Sequence, residues 1–347
     1  MEAVSENNKT SSFKLQRGHN ASLKHNKTCL GVTKEILQKA VKKRNQGKSF
    51  DSRFPAGPGY FPLMRVLPIC CALALNPFGG WAEEEGRRPV DGIMDNSFFI
   101  EEAYNQEPGI VQHIFFGVYS VDRISNTAER RLDFSFTQEW PVFSQTHQFS
   151  YTIPSSVVKT SGHWESGIGD VLLNYRYQAY FDEKTLTGLA PRFSLVLPTG
   201  DAQKEFGNGT LGYQWNLPFS TTLGDRWFVH ANAGLTFLPN AGPDSETKTD
   251  LLNYNLGTSV IYCATDRLNF MLEWVGAWNQ GLRGSREEGH EFLTVLSPGA
   301  RYAFNVSDET QIVVGLGLPI GLNRNSPELG GLFYFSFEGR MFGKKGQ

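Results

Sequence analysis

The sequence predicts an all-β fold, an antiparallel transmembrane β-barrel of about 12 strands, with a range of roughly 10–14. Three observations carry that expectation: a two-strand stretch with one apolar and one polar face, connections sorted by length, and aromatic residues gathered at strand ends. From Leu251 to Trp278 the chain alternates with period 2. Leu252, Tyr254, Leu256, Val260 and Tyr262 share one face opposite Asn253, Asn255, Gly257 and Ser259. After a turn at Ala264, Thr265 and Asp266, the residues Leu268, Phe270, Leu272, Trp274 and Trp278 oppose Asn269, Glu273 and Asn279. Soluble sandwiches also alternate. Strands of about ten residues, with rings ending the apolar face and Asn, Ser and Glu on the other, fit an apolar exterior around a wet lumen.

Residues 1–63 are polar and lysine-rich and show no strand alternation, so they read as upstream sequence or a disordered extension. Met64 opens a different segment. MRVLPICCALALNPFGGWAEEE has a basic start at Arg65, an apolar run from Val66 to Leu75, a breaker at Asn76 and Pro77, and a small-x-small site ending at Ala82. Residues 64–82 therefore read as a signal peptide, translation is expected to start at Met64, and the mature chain is expected to begin at Glu83. Residues 83–108 form a polar lead-in expected on the periplasmic side.

Candidate strands follow at 109–121, 129–140, 146–153, 167–179, 188–197, 210–221, 226–238, 251–263, 267–278, 291–304, 308–319 and 330–342. The barrel is thus expected over 109–342, with 343–347 a short basic tail. The first strand is the weakest of the set because both of its faces are mixed, and a further short strand is possible around Phe98–Ala103. Connections alternate between short ones (PVFSQ, FDEKTLTG, LGD, ATD, NVS) and long ones (PSSVVKTSGHWES, PTGDAQKEFGNG, PNAGPDSETKTD, QGLRGSREEGH, IGLNRNSPEL), with DRISNTA also read as long. Short turns at one rim and long loops at the other are the arrangement of outer-membrane barrels. Trp140, Trp227, Tyr262 and Tyr302 fall near the short-turn rim and Phe237 and Trp278 near the other, a two-girdle pattern.

Composition narrows function. A formal net charge of -2 gives no electrostatic case for nucleic acid. No run reaches the roughly 18 apolar residues of a spanning helix. Cys29, Cys70, Cys71 and Cys263 show no metal-ligand spacing, and the histidines are scattered. No metal or cofactor is expected.

With the apolar face outward, the inward charges include Arg131, Asp133, Glu139, Asp170, Arg176, Arg192, His230, Glu273, Arg301, Glu338 and Arg340. Mixed signs argue for cross-lumen ion pairs that narrow a pore rather than for one-sign ion selectivity. Asp170, Arg176, Arg192, His230, Glu273, Arg301, Glu338 and Arg340 are the candidate residues of a solute path. The competing reading is that they fill the interior simply to stabilise it. Catalysis has little support: alternation turns His147 outward and Ser150 inward, and adjacent Glu101 and Glu102 point to opposite sides of an extended chain.

Through IEEAYNQEPGIVQH, FTQEW, GIGDVLLNYRYQ and APRFSLVLPTGD, residues 95–342 resemble the outer-membrane transporters grouped with the phenol-degradation meta-pathway proteins of Gram-negative bacteria. GIGD at Gly167–Asp170 and LPTGD at Leu197–Asp201 carry most of that resemblance. It implies a channel-like barrel for small aromatic or hydrophobic solutes, with no catalytic residues. The expected partners are outer-membrane lipid, a small-molecule solute and the barrel insertion machinery. The alternatives are a non-transporting structural or surface-interaction barrel and, last, a membrane-embedded lipase.

Overall fold

The computed structural model describes residues 97–341 apart from 125–126, 161, 246–247, 281, 284–285, 288–289 and 308–309. The expected extension 1–63, signal segment 64–82, start of the lead-in and tail 343–347 lie outside the described residues.

Twelve antiparallel staves form the wall. They are β1 (Ile110–Ile124), β2 (Thr127–Val142), β3 (Ser144–Thr160), β4 (His163–Ile168 continued by Val171–Tyr177), β5 (Thr187–Leu189 continued by Arg192–Leu197) and β6 (Gly212–Thr222). β7 (Trp227–Ala241), β8 (Thr249–Cys263), β9 (Leu268–Asn279), β10 (Glu291–Ser307), β11 (Thr310–Gly317 continued by Ile320–Gly321) and β12 (Leu329–Arg340) complete it. Each pairs with the next. β12 pairs back onto β1 from Ile110↔Arg340 to Val121↔Leu329, so the sheet closes and has no free edge.

The β8–β9 hairpin shows how the sequence sets the register. Thr265 Oγ1 accepts from Arg267 N and Leu268 N at 3.2 and 3.0 Å, closing the turn with a side chain. The strands then pair Tyr254↔Trp278 through Ser259↔Glu273 to Cys263↔Asn269. Because side chains alternate, this register puts Leu256 and Leu272 on the outside, 45% and 48% exposed, while Ser259, Asn269 and Glu273 are fully buried inside. The barrel is apolar outside and largely polar within. Ring pairs lie at both rims, Trp227 with Tyr262 at 4.8 Å and Trp278 with Phe292 at 4.7 Å.

Two expected loops are largely strand where the structure describes them. DRISNTA and PSSVVKTSGHWES belong to long hairpins, in which β1 pairs with β2 out to Ile124↔Thr127 and β3 pairs with β4 out to Thr160↔His163. Their Val, Ile and Thr content favours that outcome. A larger correction concerns residues 97–108. They do not trail from the rim as a periplasmic lead-in, and they form no strand; they run into the barrel and lie across its lumen.

Candidate luminal site

The segment from Ser97 to Pro108 enters beside the short-turn ends of β3 and β4. Asn105 Nδ2 donates to the carbonyls of Gln145 and Thr146 at 2.8 and 3.0 Å, and Asn105 N donates to Gln178 Oε1 at 3.2 Å. Arg340 Nη1 donates to Pro108 O at 3.1 Å, holding the entry point. Further in, Ala103 N donates to Ser220 Oγ, which lies 2.7 Å from His230 Nδ1. Asn232 binds the Glu101 backbone reciprocally: its Oδ1 accepts from Glu101 N and its Nδ2 donates to Glu101 O, both at 2.7 Å. Asn232 thus satisfies backbone groups that would otherwise be orphaned inside the barrel.

At the far side the segment turns apolar. Phe98 N, Phe99 N and Ile100 N converge on Glu273 Oε1 at 3.1, 2.9 and 3.2 Å. Three amide dipoles aimed at one carboxylate oxygen favour its charged form. This bend splays the side chains onto the wall. Ile100 packs with Val275, Ala277, Leu293 and Val295, and the Phe98 and Phe99 rings pack near Phe116, Val313, Leu332 and Tyr334. The seat for Phe98 needs glycine, since a Cβ at Gly299 or Gly315 would stand 2.6 or 2.5 Å from that ring.

Between these two ends lies the charged contact. Glu101 receives Arg192 Nε on Oε2 at 2.8 Å, Asn216 Nδ2 on Oε2 at 2.7 Å and Arg176 Nη1 on Oε1 at 3.3 Å. Burial alone would raise the Glu101 carboxyl. The guanidiniums of Arg192 and Arg176, with the hydrogen bonds from Asn216 and Arg192, outweigh it and hold the group below the usual carboxylate value. Arg176 is committed to the segment: Nε reaches Asn105 Oδ1, Nη1 reaches Glu101 and the Glu102 carbonyl, and Nη2 reaches the Tyr104 carbonyl. Arg192 is shared, its other donors reaching Asn174, Ser194 and Gln214 on the wall.

Beside the segment remains a cavity of about 130 Å³. Ile114, Phe116, Val275 and Tyr334 line one side, and Thr137, Glu139, Ser150, Asn174, Arg176 and Arg192 line the other. Glu139 is held by Gln148, whose Nε2 donates to it at 2.8 Å.

All eight residues expected on a solute path lie on the inner face, but they divide into different roles. Arg176, Arg192 and Glu273 bind the segment, His230 supports Ser220 beneath it, and Arg340 holds its entry. Arg301 lies over the Tyr334 ring at 4.8 Å, and Glu338 is buried on β12. Asp170 serves a loop: it accepts from Gly200 N and from Asn208 N and Nδ2 at 2.9, 2.7 and 2.9 Å. Thr199 Oγ1 accepts from Val171 N and donates to Gly169 O, both at 2.9 Å, so the GIGD and LPTGD motifs dock on each other. Ion pairs inside the barrel include Arg131 with Asp133 on one strand and both Arg176 and Arg192 with Glu101 of the segment.

Sequence reasoning missed Glu101, Asn105 and the Phe98–Ile100 turn. A usable signal was present in FFIEEAYNQE, where an apolar triplet and then acids and amides suit a wet interior better than a free lead-in. His147 and Ser150 do face opposite ways: His147 Nδ1 lies 2.7 Å from the Tyr175 hydroxyl outside, while Ser150 accepts from Asn174 inside. No cluster of three or more His, Cys, Asp or Glu fit to hold a metal occurs among the described residues.

No protein-family model matches the chain, and no curated protein matches it by sequence. Its fold is similar to that of solved barrels. An outer-membrane channel from Pseudomonas putida F1 superposes with a TM-score of 0.56 at 12% identity, over 68% of this chain and 97% of that one. The NanC porin gives a TM-score of 0.43 at 10% identity over 66% of this chain and 100% of its own. The translocator domain of the autotransporter NalP from Neisseria meningitidis gives 0.41 at 9% identity over 67% and 88%. The likeness to the Pseudomonas putida F1 channel agrees with the strand pairing on the fold, a closed 12-stranded antiparallel barrel.

Proposed function

We propose that this chain is an outer-membrane channel for small solutes, with the Ser97–Glu107 segment as a restriction inside the lumen. The observation that carries the reading is the cavity of about 130 Å³ beside that segment, in a barrel whose outer face is apolar and whose inner face is mainly polar. An apolar belt facing outward suits lipid, and a closed sheet leaves no backbone edge for lipid to strand. Insertion would require the barrel insertion machinery. The mix of apolar and hydrogen-bonding walls suits solutes with an aromatic or other hydrophobic body, the class that the family resemblance implies. Residues 64–82 would direct export and be removed before insertion.

Ser97 Oγ donates to Ser259 Oγ at 2.7 Å, which brings a segment side chain against the wall. The pair Ser97→Cys and Ser259→Cys, in a background without native cysteines, allows the segment to be tethered. In planar bilayers the oxidised protein should conduct weakly and the reduced protein several-fold more. Equal conductance in both states would remove the segment from the reading. No conductance in either state would instead favour a structural or surface-interaction barrel.

A further inference from the structure

We infer that the luminal cavity is a binding site for a small monocarboxylate with an apolar body, such as an aromatic acid, and that Glu101 occupies the carboxylate position when the site is empty. The inference rests on the channel reading and names the solute class.

Its first support is the chemistry of the two arginines. Every acceptor that the Arg176 guanidinium reaches lies on the segment, and Arg192 Nε points to Glu101 Oε2. These side chains are 3% and 5% exposed, so withdrawal of Glu101 leaves buried guanidiniums that need an anionic, fork-shaped partner. A carboxylate meets that need, and Asn216 Nδ2, now on Glu101 Oε2, supplies a third donor.

The second support is the charge balance. The charged residues around the cavity are Glu101, Glu102, Glu139, Arg176 and Arg192. With the two segment acids withdrawn, two arginines face Glu139 alone, an excess of one positive charge. One carboxylate neutralises it, and a second would be repelled.

The third support is shape. Ile114, Phe116, Val275 and Tyr334 form an apolar wall to the same cavity, so a ligand anchored at the arginines lays its body against them. A cavity of about 150 Å³ lined by apolar groups accepts a benzene ring. The space here, about 130 Å³ before any movement of Glu101, is close to that. The segment itself has the same design, with the Glu101 carboxylate on the arginines and Phe98, Phe99 and Ile100 on the apolar wall.

The test is calorimetric titration of the full chain in detergent with benzoate, neutral benzamide and the dianion terephthalate. Benzoate should bind at least about tenfold more tightly than either of the others. Glu101→Gln removes the internal competitor from a segment outside the barrel wall, and should tighten benzoate about tenfold, or about 1.4 kcal/mol. Arg192→Gln should abolish benzoate binding. Should that variant fail to fold, Glu101→Gln still decides. Benzamide binding as tightly as benzoate, or benzoate affinity unchanged in Glu101→Gln, would overturn the inference. The outcome is separable from that of the channel reading, because binding without conductance sinks only the channel, and conductance without carboxylate preference sinks only the site.

Discussion

The two halves of the inner wall differ in what they offer. From β2 to β7 the inward side chains beside the segment are mainly polar, among them Asp133, Thr137, Ser150, Asn174, Arg192, Gln214 and Asn232, while Leu172, Val196 and Leu238 form a separate apolar cluster. From β9 to β12 and on β1 many are apolar, including Val275, Leu293, Val295, Val313, Leu332 and Phe116. The luminal segment matches each half in turn, with Glu101 to Asn105 on the polar wall and Phe98 to Ile100 on the apolar one. An interior built only to support the barrel has no need of such a division. Here the wall turns polar against the Glu101–Asn105 side chains and apolar against the Phe98–Ile100 side chains, with Glu273 meeting the backbone of that apolar turn.

The largest effect should come from arginines placed on either face of the apolar half. Leu272→Arg, mid-strand on the outer face of β9, should destabilise the folded barrel by about 2 to 4 kcal/mol in a lipid-vesicle refolding titration. Val275→Arg on the inner face of the same strand should cost a similar amount, because Val275 is buried against Ile100. Asn255→Arg, beside the cavity on β8, should cost far less, since its side chain enters a polar, open space. A cheap Val275→Arg would mean that the apolar half is not dry and would break the contrast.

That contrast also explains what the sequence showed. The outer face was legible because outward positions recur every second residue, and the period alone placed Leu256, Phe270 and Leu272 correctly. β1 read poorly for a physical reason. Its inward Ile114, Phe116 and Val118 are apolar like its outward neighbours, because Phe98 and Phe99 cover them, so alternation is lost where the segment lies. The inward charges were legible as charges but not as partners. Arg176 and Arg192 bind Glu101, some 75 and 91 positions away, and no local period records that. The partners of Asp170 were hidden for a similar reason, since they come from a loop that folds back over a break in β4.

A smaller effect is expected from filling the Phe98 seat. Gly299→Leu places atoms where the ring now lies, and overpacking of this kind costs about 1 to 3 kcal/mol. The segment is outside the hydrogen-bonded wall, held at this end by the Phe98 and Phe99 rings, Ile100, Ser97 and three amides to Glu273, so it should yield before the wall does. Bilayer recordings should show a raised conductance with an unchanged melting profile of the barrel. A lowered barrel stability with unchanged conductance would mean that the seat is a fixed part of the core.

The smallest effect lies on the polar half and is a response to pH. The docked Glu101 carboxyl lies below its ordinary value of 4.5, because Arg192, Arg176 and Asn216 outweigh the cost of burying it. A depressed carboxyl favours the docked state when ionised, so docking is at full strength above that ordinary value and is lost as pH falls through the docked one. The part of the conductance that depends on Glu101 should therefore rise only as pH falls below that ordinary value. Glu102 and Glu139 line the same cavity and Glu273 accepts three amides of the segment, so the control is Glu101→Gln, in which the acid rise should disappear and the conductance should be high throughout. A rise that persists in Glu101→Gln would assign the response to one of those neighbours and leave the apolar seat, not the arginine contact, as what holds the segment in place.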